Sequence, residues 1–160
     1  MRRIEQIIGH PLFKMSMEKI ESFEKERLFC CHGISHSLDV ARIAYIRVLE
    51  QKLNYSAETF YAAALLHDIG RWQQYEEGIP HHEASEALAE KILEDTDFNE
   101  NEKRQILEGI RCHRKCDGVG KDSFAAILYE ADKQSRVCWM CKARNECYWP
   151  ENQKNMGIIR

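Results

Sequence analysis

A chain of 160 residues is long enough for one domain with a packed interior and too short for two ordinary ones. Its 44% hydrophobic and 31% charged residues, with few Gly or Pro, exclude a disordered or fibrous protein and suit a helix-rich globular one. A net charge of -3 and a pI near 6.2 supply no global field for a long nucleic acid. No stretch approaches the roughly 20 apolar residues of a membrane span, and Met1-Arg2-Arg3-Ile4-Glu5 opens no export signal, so a cytoplasmic location is expected.

In chain order the periodicity is helical throughout, with no competing β alternation. Residues from about Met15 to Leu28 carry Ile20, Phe23 and Leu28 among many charges, which predicts a surface helix burying one narrow stripe. From Ser37 to about Lys52 the apolar positions recur as on a helix, with Ser35 as its N-cap and His36 in its first turn. Ser56 and Glu58 begin the next helix, which runs through Tyr61-Ala62-Ala63-Ala64-Leu65-Leu66 to His67-Asp68 and stops at Gly70. The stretch from Arg71 to Pro80 reads as a loop over the site, its Trp72 and Tyr75 either stacking on a nucleobase or packing down as lid core. A helix from Glu83 to Leu93 takes one of His81 and His82 at its N-terminus, and Asn99 with Glu102 forms a capping box for a helix that ends near His113. A loop from Cys116 to Asp122 then leads into a last long helix carrying Phe124, Ile127, Leu128 and Asp132.

The chemistry concentrates at His67-Asp68. An imidazole and a carboxylate side by side end an apolar helix badly unless both are hydrogen-bonded or ligated, because each must lose its water. Neighbouring helical residues splay by about 100°, so a cation fits the angle between them if other helices add donors. His36 upstream and Asp132 downstream supply such donors. Taken alone, His36 reads better as a solvated histidine near a cap, and Asp132 can be read as a surface carboxylate beside Lys133.

In this order, a His opening an amphipathic helix, then His67-Asp68-Ile69-Gly70, then an Asp late in a further helix, the chain resembles the HD superfamily of metal-dependent phosphohydrolases over roughly residues 30 to 136. The resemblance implies an all-α HD-domain helical bundle with His36, His67, Asp68 and Asp132 as a metal set. It also implies a second set at the positions of His81 or His82 and of His113, with His81, followed four residues later by the small Ser85, preferred over His82. Asp68 is then the natural bridge between two metals and a candidate to orient water. His and Asp donors favour Mn, Fe, Co, Ni or Zn over Ca, and open positions mark a catalytic centre. Arg71 follows the His67-Asp68-Ile69-Gly70 turn, Lys133 follows Asp132, and Arg114 and Lys115 follow His113; Arg71 and Lys133 are the preferred partners of a phosphate, against a solvated helix-end reading for each.

Seven cysteines without an export signal argue for reduced thiols or ligands rather than a disulfide framework. Cys138, Cys141 and Cys147 form a C-x2-C-x5-C group suited to Zn or an iron-sulfur centre, but such a site wants four ligands. Cys112, Cys116 or a donor from another element completes it, or the thiols are simply free. Residues 138 to 160 are too short for a core of their own, so residues 1 to 137 are expected to form the HD-type domain and 138 to 160 a cysteine-bearing appendage packed on it. The expected function is hydrolysis of a small phosphoester, a nucleotide being the first choice, with no long nucleic acid or membrane as partner and a homodimer compatible with the chain. The rivals are a two-iron HD-type oxygenase and a non-enzymatic nucleotide or metal sensor.

Overall fold

The computed structural model describes residues 1–113 and 120–158 and is all-α, with no strand among the described residues. Its helices are α1 (Arg2–Gly9), α2 (Pro11–Glu24), α3 (Ile34–Glu50), α4 (Ala57–Leu66), α5 (Arg71–Glu77), α6 (His81–Glu94), α7 (Glu100–Cys112) and α8 (Phe124–Gln134), followed by short 3-10 turns at Cys138–Met140 and Glu151–Gln153. Arg114, Lys115 and Cys116, named above as candidate phosphate partners and a candidate thiol ligand, lie outside the described residues.

Helix α4 is the centre of the molecule. Its Ala62, Ala63, Ala64, Leu65 and Leu66 are all buried, so it is apolar all round rather than amphipathic. Alanines let other helices approach closely, and α1, α3, α6, α7 and α8 all contact it. Phe60 stacks on Phe124 with ring centroids 4.2 Å apart, and this pair ties the start of α4 to the start of α8. Among the described residues, no helix is long and apolar enough to cross a membrane.

Several boundaries differ from the sequence expectations. Helix α1 was not foreseen; it is held by Arg3, which donates to Glu58 and to Glu102, at 2.7 Å each, and lies over the Phe98 ring. Helix α2 begins at Pro11 rather than Met15, with Pro in its first turn and His10 Nδ1 accepting from Leu12 N–H, and it ends at Glu24, short of Leu28. The N-cap of α3 is Gly33, not Ser35, which lies inside the helix. The expected loop from Arg71 to Pro80 is largely helical as α5: Gly70 starts it and Gly78, at φ 76°, stops it in the left-handed conformation that glycine tolerates. The residues between those glycines are good helix formers, and Trp72 packs inward with its indole N–H donating to Ser16. Trp72 is therefore core rather than a base-stacking lid residue. The expected capping box is present at Asn99 and Glu102.

Candidate metal centre

Helix ends build the site. His67 is the C-cap of α4 and Asp68 lies in the turn that joins α4 to α5. His36 is in the first turn of α3, His81 is the first residue of α6, His113 caps the C-terminus of α7 and Asp132 lies in the last turns of α8. The turn at Gly70 makes this convergence sterically feasible. A Cβ there would lie 2.3 Å from Ser85 N and 2.5 Å from the Ala84 carbonyl carbon, while Gly70 N–H donates to the buried Ser85 hydroxyl at 2.9 Å. Glycine thus lets α6 dock against the His67-Asp68 turn and carry His81 to it.

Asp68 is the hub. Its Oδ2 faces Nε2 of His67 at 3.2 Å, His36 at 3.8 Å and His32 at 4.0 Å. Its Oδ1 faces Nε2 of His81 and of His113, each at 3.6 Å, and Arg71 Nε at 3.0 Å. Asp132 Oδ1 completes the first side, 3.2 Å from His36 Nε2 and 3.8 Å from His67 Nε2. The donor atoms of His36, His67, Asp68 and Asp132 all lie within 4.8 Å of one another, as do those of Asp68, His81 and His113. His82 stays outside both groups, with its Nε2 beside Glu83 at 3.9 Å. At the start of a helix, successive side chains point in different directions, and only His81 points inward.

The imidazoles are oriented alike. Nδ1–H of His67 donates to Ala64 O at 2.7 Å, that of His113 to Ile110 O, that of His81 to Gln74 Oε1 at 2.7 Å and that of His36 to Ser135 Oγ at 3.1 Å. The Ser135 hydroxyl spends its own proton on Asp132 O, so it can only accept from His36. Each ring therefore turns its Nε2 toward the carboxylates, the arrangement in which outer partners fix which nitrogen of a ligand faces the metal.

These residues fit a cation. His67 Nε2 and Asp68 Oδ1 are buried with no hydrogen-bond partner, and the Nε2 atoms of His81 and His113 face each other at 3.1 Å. Lone pairs at that distance repel unless a proton or a cation lies between them. Burial pushes the Asp68 carboxyl up, but the charges of His67, Arg71 and His32 outweigh it and hold the group well below the carboxylate range. Asp132 is held down in the same way by His36, His67 and Arg136. Burial lowers His36 to about 4, whereas Asp68 and Asp132 overcome burial at His67 and raise it to about 9.

The chain also carries an HD domain match over residues 33–137. It belongs to the HD domain family. An uncharacterized protein of Clostridium beijerinckii is 40% identical over 158 residues, which cover 99% of both chains. A crystal structure described as a predicted HD superfamily hydrolase from an uncultured Thermotogales bacterium superposes with a TM-score of 0.64 at 24% identity, over 91% of this chain and 80% of that one, and shows that the two share a fold.

Lys133 Nζ lies 2.7 Å from Asp132 Oδ2, and Arg71 is on Asp68, so both expected cations stand at the carboxylates. Sequence reasoning missed Arg136, His32 and Glu24. Arg136, just beyond the end of α8, donates to Asp132 Oδ1 at 2.7 Å, and its i+4 spacing from Asp132 was the available signal. His32 is buried with Nδ1 on Glu24 Oε1 at 2.5 Å, while Tyr75 donates to the same oxygen at 2.7 Å. Only its place four residues before His36 hinted at this, because Glu24 comes from another helix.

Proposed function

We propose that this HD-family chain is a metal-dependent phosphohydrolase acting on a small phosphoester, with a nucleotide as the first choice. The observation that carries it is the division of Asp68 between two imidazole sets, one per carboxylate oxygen. In this reading His36, His67, Asp68 and Asp132 hold one divalent ion, and His81 and His113 share Asp68 to hold a second. Such ions supply an activated water and Lewis-acid stabilisation of the phosphoryl oxygens.

The rest falls to the protein. Arg71, Lys133 and Arg136 line a cavity of about 590 Å³ beside the carboxylates, where they would neutralise phosphate charge. His32, backed by the Glu24 carboxylate, turns its Nε2 toward Asp68 and would help hold the charge there. Tyr129, Tyr148 and Trp149 line the same cavity, whose size suits a nucleotide and whose rings suit a base.

The test is anaerobic purification, metal analysis and a phosphatase screen across nucleotides with Mn, Fe, Co, Ni and Zn. Metal-dependent phosphate release that disappears in Asp68→Ala is expected. Oxygen-dependent turnover by a mixed-valent iron pair would overturn the reading in favour of an oxygenase, and tight nucleotide binding without turnover would overturn it in favour of a sensor.

A further inference from the structure

Four cysteines line the same cavity. Cys30, from the loop between α2 and α3, lines it together with Cys138, Cys141 and Cys147 from the C-terminal segment. All four are free thiols; Cys138 is buried and the others are half-buried. The remaining described cysteines are not part of this lining: Cys31 is exposed, with its Sγ near Glu24 O and Phe29 O, and Cys112 sits at the end of α7.

The segment carrying three of these thiols is a run of tight turns. Cys141 N–H donates to Cys138 O, Arg144 N–H to Cys141 O and Cys147 N–H to Arg144 O. It is fixed to the body by Asn155, whose amide donates to Lys133 O and Arg136 O at 2.8 Å each, and by the Trp139 N–H bond to Asn155 O. These bonds fix the segment at the end of α8, and in the α2–α3 loop Arg27 Nε donates to Cys30 O at 3.0 Å. Arg27, Arg144 and Lys154 line the cavity with the thiols.

We propose that Cys30, Cys138, Cys141 and Cys147 hold an iron-sulfur cluster, with Cys30 as the fourth ligand to the C-x2-C-x5-C group. Four thiolates complete a cluster's protein ligands, and three do not. Spacing favours a cluster over a single Zn ion. One tetrahedral ion gathers its donors tightly, as the His and Asp atoms are gathered within 4.8 Å, yet no three thiols come that close among the described residues. A cluster places an inorganic core between its ligands and so spreads them around a cavity. It would clip the C-terminal segment to the α2–α3 loop and form one wall of the space that the His and Asp residues face.

The test uses the full chain, purified anaerobically and, in parallel, reconstituted with ferrous iron and sulfide under reducing conditions. Acid-labile sulfide is the deciding readout, because iron at the His and Asp site brings none. Stoichiometric sulfide and a visible absorbance bleached by dithionite are expected. Both should disappear in Cys30→Ser as fully as in Cys138→Ser, and remain in Cys31→Ser, Cys112→Ser and Asp68→Ala. Should a cysteine variant fail to fold by circular dichroism, alkylation of the wild type followed by mass spectrometry replaces it: Cys30, Cys138, Cys141 and Cys147 must be protected until the iron is removed. Wild type without sulfide after reconstitution, zinc bound without sulfide, or Cys30→Ser with wild-type sulfide would each overturn the proposal. Loss of phosphohydrolase activity in Asp68→Ala with sulfide intact separates this centre from the other.

Discussion

At the scale of single residues, the decisive property is the direction of a lone pair. Backbone carbonyls, Gln74 and Ser135 each take an Nδ1 proton, so every ring presents its Nε2 to the carboxylates and ligation must go through that atom. Gln74→Leu should therefore weaken metal binding about 10- to 100-fold without removing a ligand. Competition titration with a chromophoric chelator measures this, and unchanged affinity would show that the His81 ring is held by something else. His113→Ala should lower metal content by about one ion per chain if two are bound. Elemental analysis of a folded variant that keeps wild-type metal content would end the two-ion reading.

The pH dependence follows from His67. Its pKa in the metal-free protein is raised to about 9, so the ring is protonated at neutral pH and a metal must displace that proton. Affinity should rise about tenfold per pH unit from pH 7 to near 9 and then level off. Because burial lowers His36 to about 4, that ring is already neutral and releases nothing over the same range. Calorimetry in buffers of different ionisation enthalpy should find about one proton released per chain near pH 7. No release would place the proton elsewhere.

At the scale of elements, the site depends on how closely α6 can dock on the turn after α4. Gly70→Ala places a methyl against the backbone of Ala84 and Ser85, which cannot yield as a flexible side chain would. A destabilisation of about 1–3 kcal/mol or more is expected, with His81 displaced from Asp68. Thermal unfolding and metal content should both report it. A contrasting change on α7, Asn99→Ala, should cost about 1 kcal/mol through the lost cap while metal content stays at the wild-type level, because the cap lies at the far end of the helix from His113. Equal effects of the two substitutions on metal content would argue that helix stability, not docking, sets the site.

At the scale of the whole molecule, helix ends are drawn to one point where two carboxylates and several imidazoles are buried together. Arg71, Lys133 and Arg136 at least balance the two carboxylates in formal charge, yet His67 Nε2 and Asp68 Oδ1 stay buried without a hydrogen-bond partner, so the cluster is still costly without a bound ion. Metal should therefore stabilise the entire fold. At a hundredfold excess over Kd the gain is about 2.7 kcal/mol, which for a chain of this size is a rise in Tm of roughly 5–10 °C. Scanning calorimetry before and after chelation checks it, and identical melting curves would mean that the site is satisfied by protons and cationic side chains alone.

The all-α class, the buried α4 helix, the capping box at Asn99 and the grouping of His36, His67, Asp68 and Asp132 were legible in the chain, because each rests on local periodicity or on an ordered motif. The resemblance already preferred His81 over His82 through Ser85, and the structure agrees: at the start of α6 the His81 ring turns toward Asp68 and His82 does not. Tertiary structure alone turned the Arg71 to Glu77 stretch into helix α5, where packing of Trp72 against Ser16 overrode the loop suggested by flanking Gly and Pro. It alone brought His32, backed by Glu24, to Asp68 and Arg136 to Asp132, and put Cys30 in one cavity lining with Cys138, Cys141 and Cys147. Periodicity reports which face of an element is buried, whereas contacts between residues far apart in the chain depend on how helices cross, and no local pattern encodes that crossing.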